Sequence, residues 1–299
     1  MGLPRQVIKL FRDENAHKKI SGELLVCGKQ TVLADRELIN HIFADQPEAS
    51  SSILAAWSDA ANMDRSTRHS HDTLRDDVFL KAFLDVNYNC LAISNYEGAN
   101  VICNLNAPVP DPLRSTFDFI YSGGCHDNVF SPSTLLINTS KMLKTNGRVV
   151  HYEACSGLLG AYQMFSAEWF YSYYAANNFK DCKVYVCHQT KPGTTRFDYE
   201  TNLFLYQPSF SRSADFDYFK SAIASAGIMY LLVIAEKGQD STEDNIPIQL
   251  QYLDDKSGDW RVAESKFINS PRPLLKGQRT EDHVRPFLSD HFHYLGSGF

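Results

Sequence analysis

Apolar and polar positions alternate between short β-rich runs and longer stretches of helical spacing. The clearest case lies between Thr116 and Gly147. Phe117–Tyr121 is a compact run of aromatic and branched residues that stops at Ser122-Gly123-Gly124, as a buried strand meeting a turn does. Pro132 stands where a helix begins, and Leu135, Leu136, Met142 and Leu143 recur at helical spacing. Asn146-Gly147 closes that helix, and Val149–Tyr152 opens a second strand. Strand, helix and parallel strand make a βαβ unit, whose ligands sit beyond the carboxyl ends of the strands. Ser122–Asp127 and Glu153–Ser156 are therefore placed at a site.

The same reading covers the rest of the chain. Residues 1–22 are mixed polar, with one short helix. Glu23–Cys27 is a strand ending at Gly28, and Asp35–Phe43 is a helix with Leu38, Ile39, Ile42 and Phe43 on one face. Residues 44–76 are polar and irregular, a loop or lid with a short helix at Ile53–Trp57. Asp77–Leu84 is helical, and Cys90–Ile93 and Asn100–Cys103 are strands. Ser166–Asn178 opens on a capping serine and is an aromatic-rich helix. Lys183–Cys187 and Met229–Ala235 are strands. Between them lie a polar, aromatic insertion (188–212) and a helix over 213–225, which make up an insertion near 188–226. Residues 238–299 show little regular structure and read as an irregular extension packed on the domain of residues 1–237. Alternation of this kind predicts an α/β fold with helices on both faces of the sheet.

Composition narrows the classes. The chain has 299 residues, enough for one large domain or two small ones, and a formal net charge of -6. No basic stripe runs along it, which speaks against nucleic acid as a partner. No apolar run is long enough to cross a bilayer, and charged residues interrupt the N-terminus where a leader would be continuous, so no membrane partner is expected. Seven cysteines form no CxxC pair and fall in or beside apolar runs, which fits reduced thiols in a cytoplasmic protein.

The order of elements, the segment FDFIYSGG and the phrase Leu143-Lys-Thr-Asn-Gly-Arg148 resemble class I S-adenosylmethionine-dependent methyltransferases. In that family the FDxI strand is the fourth and the LKPGGR phrase introduces the fifth. The two late strands match its closing antiparallel hairpin. Ser94–Ala99, Asn104–Asn106, Ala235–Lys237 and Asp240–Thr242 are similar to a bacterial methyltransferase-like subgroup. The resemblance covers residues 22–250. It implies a Rossmann-like sheet, mostly parallel with an antiparallel closing strand, S-adenosyl-L-methionine as cofactor, and a small-molecule acceptor. The chain departs from the pattern in two places. The first loop holds a single glycine, Gly28, and the second strand ends in Ser94-Asn95 where relatives carry an acid.

Carried over residue by residue, the resemblance places Gly28, Lys29 and Gln30 at the cofactor's amino-acid end. It places Ser94, Asn95 and Glu97 at the ribose, Asn104 and Leu105 at the adenine, and Ser122, Gly123 and Gly124 between sulfonium and acceptor. Histidine ordinarily titrates near neutrality, so His126 is the candidate base, with Asp127 and Tyr162 beside it. Tyr162 and Gln163 precede an aromatic band suited to walling the acceptor pocket.

Three other readings stand beside methyl transfer. In one the fold has lost its cofactor and serves as a binding or scaffold subunit. In another, a metal-dependent enzyme joins His69, His71 and Asp72 to Asp290, His291 and His293. In the last, other sulfonium chemistry replaces methyl transfer. The leading reading uses no metal, and a homo-oligomer is compatible with it.

Overall fold

A computed structural model describes residues 2–65, 73–156, 161–192, 199–208, 227–249, 252, 258–279 and 292–298. A two-residue strand, β1 (Gly2–Leu3), leads into α1 (Arg5–His17), then β2 (Ser21–Cys27) and β3 (Thr31–Val32). Next come α2 (Arg36–Ile42), α3 (Pro47–Ala56), α4 (Asp76–Lys81), β4 (Asp85–Ala92) and β5 (Val101–Ile102). The expected βαβ unit is β6 (Phe117–Gly123), α5 (Pro132–Met142) and β7 (Leu143–Ala154). After it follow α6 (Ala167–Ala176), β8 (Asp181–Pro192), β9 (Tyr199–Tyr206), β10 (Ile228–Glu236), α7 (Gly258–Ile268) and β11 (Phe292–Ser297).

Nine strands form one sheet in the order β11-β9-β8-β10-β7-β6-β2-β4-β5, and β1 pairs with β3 apart from it. The pairs from β7 through β5 are all parallel, and those from β7 through β11 are all antiparallel. Strand directions therefore reverse only at β10 and β9, and the other seven strands run one way. β6 is the fourth of the parallel strands in chain order, β7 the fifth, and β10 lies antiparallel between β7 and β8. This is the expected Rossmann-like sheet, with seven of nine strands running one way and an antiparallel closing strand.

Two apolar layers cover the faces. Leu24, Val26, Phe119 and Val150 pack against Val7 and Phe11 of α1, Ile39 of α2, Ile53 of α3 and Phe79 of α4. On the other face Leu25, Ile120 and Val149 pack against Leu135 and Met142 of α5, Phe170 of α6 and Phe267 of α7. Period-two alternation sends neighbours in each strand to opposite layers.

Several elements differ from the sequence reading. Residues 1–22 hold a 13-residue helix, because Val7, Ile8, Leu10, Phe11 and Glu14 face the sheet and the polar residues between them face out. The stretch 44–76 is more ordered than a loop: α3 begins at Pro47, six residues before the expected short helix. The helix α5 ends at Met142, and β7 starts at Leu143, whose partner is Phe117; the register then slips before Arg148 pairs with Phe119. Asn146, at φ +64°, sits within that slip. The insertion near 188–226 contains a strand, since β9 pairs with β8 along its length. Leu203, Phe204 and Leu205 are buried in succession because β9 is interior, so no polar alternation marks it. The expected helix over 213–225 lies outside the described residues. The segment 238–299 is not wholly irregular: it supplies α7 and the edge strand β11. No helix among the described residues is long and apolar enough to cross a membrane.

Candidate functional site

The carboxyl ends of β2, β4, β5 and β6 open toward one edge of the sheet. At β2 the chain turns through Gly28, with φ +74°. A Cβ there would meet only the Gln30 amide, at 4.0 Å, so the turn faces open space. The Gly28 N–H donates to Leu91 O at 2.7 Å, which holds the turn against β4. Gln30 is buried, and its amide donates to the carbonyls of Cys27, Gly28 and Gly123. It therefore laces the first loop to the loop after β6. Its Oε1 is buried with no hydrogen-bond partner. Lys29 is not turned to an open anion site: its ammonium pairs with Asp64 at 3.0 Å.

Asp76 underpins this loop. Its Oδ2 accepts from the Gln30 backbone N–H and from the Tyr88 hydroxyl, both at 2.8 Å. Burial raises the Asp76 carboxyl above its ordinary range, against the pull of those donors. Asp76→Ala would leave two donors without their acceptor and is expected to cost about 2 kcal/mol. Tyr88→Phe, which removes one donor, is expected to cost less, and urea unfolding of both variants checks the order.

Ser94 and Asn95, beyond β4, are exposed, and Glu97 is half-buried in a left-handed turn at φ +62°. Asn104, beyond β5, is also exposed, and its Oδ1 accepts from Asn106 N at 3.0 Å. Leu105 is turned into the core, so it does not line the open edge as expected. Three large apolar side chains do: Ile93 is 72%, Tyr96 66% and Ile102 52% exposed. Ile102 pairs in register with Ala92, beside Ile93, so the two isoleucines share the ends of neighbouring strands. Composition of the strand ends pointed to polar residues there, and the exposed isoleucines were not singled out.

The loop after β6 is the densest part of the site. Ser122 and Gly123 are buried and Gly124 is half-buried at φ +64°. Gly123 must lack a side chain, since a Cβ would fall 2.5 Å from the Tyr121 hydroxyl, which itself is bonded to Gly2 O. His126 follows in a single 3-10 turn, fully enclosed. Its Nδ1 lies 3.1 Å from Glu153 Oε1 and 3.3 Å from Ser122 Oγ. Glu153 Oε1 also accepts from the Cys125 N–H at 3.3 Å. The His126 ring stands edge-on to His151, with centroids 4.8 Å apart, and Phe165, Trp169 and Phe170 close around it. Burial pushes the Glu153 carboxyl up to about 8 and the His126 imidazole down to about 3. Asp127 is raised to about 6, by burial first and the Glu153 charge second.

Sequence reasoning placed Ser122, His126 and Glu153 at the strand ends but did not single out His151 or join them into one cluster. His151 and Glu153 are two apart on β7 and so share one face, and Ser122 pairs in register with His151. A His-x-Glu alternation at the end of a parallel strand was the available signal. Tyr162 is exposed, and its N–H donates to Asp127 O at 2.6 Å. Its ring meets exposed Phe130 edge-on at 5.9 Å, so two aromatic rings flank the loop after β6. His69, His71, Asp72, Asp290 and His291 lie outside the described residues, and His293 is exposed on β11.

No protein-family model matches this chain, and no curated protein matches it. Solved structures similar to it are methyltransferases of low identity. The Burkholderia thailandensis 1,6-didemethyltoxoflavin-N1-methyltransferase, with bound 1,6-didemethyltoxoflavin and S-adenosylhomocysteine, is 13% identical over 79% of this chain and 79% of its own, at TM-score 0.37. The Haemonchus contortus phosphoethanolamine N-methyltransferase 2, in complex with S-adenosyl-L-methionine, is 14% identical over 79% of this chain, at TM-score 0.38, but this chain spans only 52% of it. A S-adenosylmethionine-dependent methyltransferase from Archaeoglobus fulgidus is 12% identical over 78% and 94%, at TM-score 0.35. Likenesses this faint carry nothing about cofactor or acceptor, and the site is read from its own side chains.

Proposed function

We propose that this chain transfers the methyl group of S-adenosyl-L-methionine to a small-molecule acceptor. The observation that carries the reading is the open turn at Gly28 on β2, where the strand order reverses against β6, with exposed Ile93 and Ile102 at the ends of β4 and β5 on its other side. Exposed apolar side chains clustered at strand ends mark a ligand face. The residues fit the group. Ile93 and Ile102 would flank a flat base, with Asn104 beside them for its polar edge. Ser94, Asn95 and Glu97 would hold the ribose hydroxyls. Gln30 Oε1 is an orphaned acceptor suited to the amino group of the methionine end.

Bound there, the cofactor supplies an electrophilic methyl. The chain's own contribution is chiefly to hold the acceptor in line and exclude water. Tyr162 and Phe130 are the aromatic walls on the acceptor side, with Asp127 beneath Tyr162. His126 acts from within the core through Glu153 and the loop that carries Asp127, and positions that loop.

Two observations favour the non-catalytic reading. Lys29 is neutralised by Asp64, and the Gln30 amide already bridges Gly28 and Gly123. A scaffold that had lost its cofactor would be closed in this way. Calorimetry of the folded full chain with S-adenosylhomocysteine decides between the two. Saturable binding with one site per chain is expected; a folded sample that gives no heat and no thermal shift leaves the scaffold reading in its place.

A further inference from the structure

We infer that His126, His151 and Glu153 form a structural site for a divalent transition-metal ion, zinc by the chemistry of its ligands. Each is completely buried, and each offers a ligand atom within 4.8 Å of the other two. Among the described residues each also keeps a buried polar atom without a hydrogen-bond partner: His126 Nε2, His151 Nδ1 and Glu153 Oε2. Native interiors satisfy nearly all such atoms, and three in one cluster point to an ion held among them. Two imidazoles and a carboxylate are a zinc donor set.

The surroundings favour the ion as well. His151 Nε2 lies 2.5 Å from the Tyr174 hydroxyl. A metal-bound histidine places its other ring nitrogen on such an oxygen, which fixes the tautomer and frees the first nitrogen as ligand. Ser122 Oγ, 3.4 Å from Glu153 Oε1, adds an oxygen donor at the same place. Phe165, Trp169 and Phe170 wall the cluster from solvent, and with Ser122 Oγ the set reaches the four donors of a structural zinc site. Zinc bonds of about 2.0–2.2 Å would draw these atoms together by about an ångström. The ion would tie the loop after β6 to the end of β7. The inference does not depend on the cofactor: a scaffold with this loop would carry the same ion.

The test uses the untagged full chain, stripped with a chelator and titrated with Co(II) and then Zn(II). About one equivalent of Co(II) per chain is expected, with visible absorption bands that Zn(II) displaces, and Zn(II) should raise the Tm. Glu153→Gln and His151→Gln are each expected to weaken Co(II) binding at least tenfold. Because either variant is in the core, a second arm alters only the other histidines. The combined variant His69→Ala, His71→Ala, His291→Ala and His293→Ala is expected to keep the full equivalent. No saturable binding by the folded parent, or loss of the metal in that fourfold variant, would overturn the inference. X-ray absorption of the Co(II) form should show nitrogen and oxygen neighbours, and sulfur ligation would also sink it.

Discussion

Arg272→Met is expected to remove about 3–5 kcal/mol of stability, the cost of leaving buried charges without their partner. Arg272 follows α7 and is buried at the opposite end of the sheet from the candidate site. Its guanidinium donates to Asp181 of β8, to Glu14 of α1 and, at 3.1 Å, to Glu236 of β10. Arg148 joins from β7, with Nη1 2.9 Å from Glu14 Oε2 and its other donors on the carbonyls of Lys18 and Lys19. Lys18 and Lys180 reach Glu236 from the rim, each at 2.9 Å. One side chain thus holds three carboxylates from three elements, and methionine would leave those carboxylates facing one another. Arg272→Lys should recover only part of the loss, because a point charge cannot reach all three at once.

The pH dependence has a definite sign. Although burial raises the Glu236 carboxyl, its lysine and arginine partners outweigh this and hold it below its ordinary value. A carboxylate with a depressed folded pKa stabilises above its unfolded pKa, and that contribution is lost as the pH falls through the folded value. Without Arg272 the Glu236 carboxyl loses part of that pull, its folded pKa rises, and protonation costs the variant less. The gap between parent and Arg272→Met should therefore be widest near neutrality and narrow as the pH falls through the carboxylate range. Urea unfolding at several pH values measures it; a gap that stays constant would show that lost packing, and not charge, is responsible.

What could be read from the chain followed from local pattern. Phe117–Tyr121, Pro132 and Val149–Tyr152 declare a βαβ unit because a strand buried on both faces is a plain apolar run and a helix start prefers proline. The strands β9 and β11 were hidden by the polar stretches around them; their burial depends on the partner β8, which only the fold supplies. Gly28, Asn104 and Ser122–Gly124 lie at or just past the ends of β2, β5 and β6, a placement that the order of elements already implied. Leu105 was misplaced because its spacing does not tell which layer it enters. The cluster of His126, His151 and Glu153 was legible only in part. Their meeting depends on the register of β6 against β7, Ser122 opposite His151, which no local spacing encodes. The Arg272 network is more distant still, since Glu14 and Arg272 are 258 positions apart.

Gly28→Val should test most sharply whether the cofactor is seated against the first loop. At φ +74° a branched residue is strained, and the left-handed conformation alone costs about 1–2 kcal/mol. The space in front of Gly28 is open, so the folded chain can accommodate the side chain with little clash. A cofactor seated against that turn would meet two new methyl groups. The expected result is a chain that folds, is modestly less stable, and binds S-adenosylhomocysteine at least about 100-fold more weakly, a difference near 2.7 kcal/mol. Gly28→Ala should carry most of the strain and less of the obstruction, so its loss of binding should be smaller while its loss of stability is similar. If both variants bind as the parent does, the cofactor is not seated against this turn. The Gln30 amide that spans Gly28 and Gly123 is then a closure of the first loop, and the cofactor is held elsewhere along the strand ends.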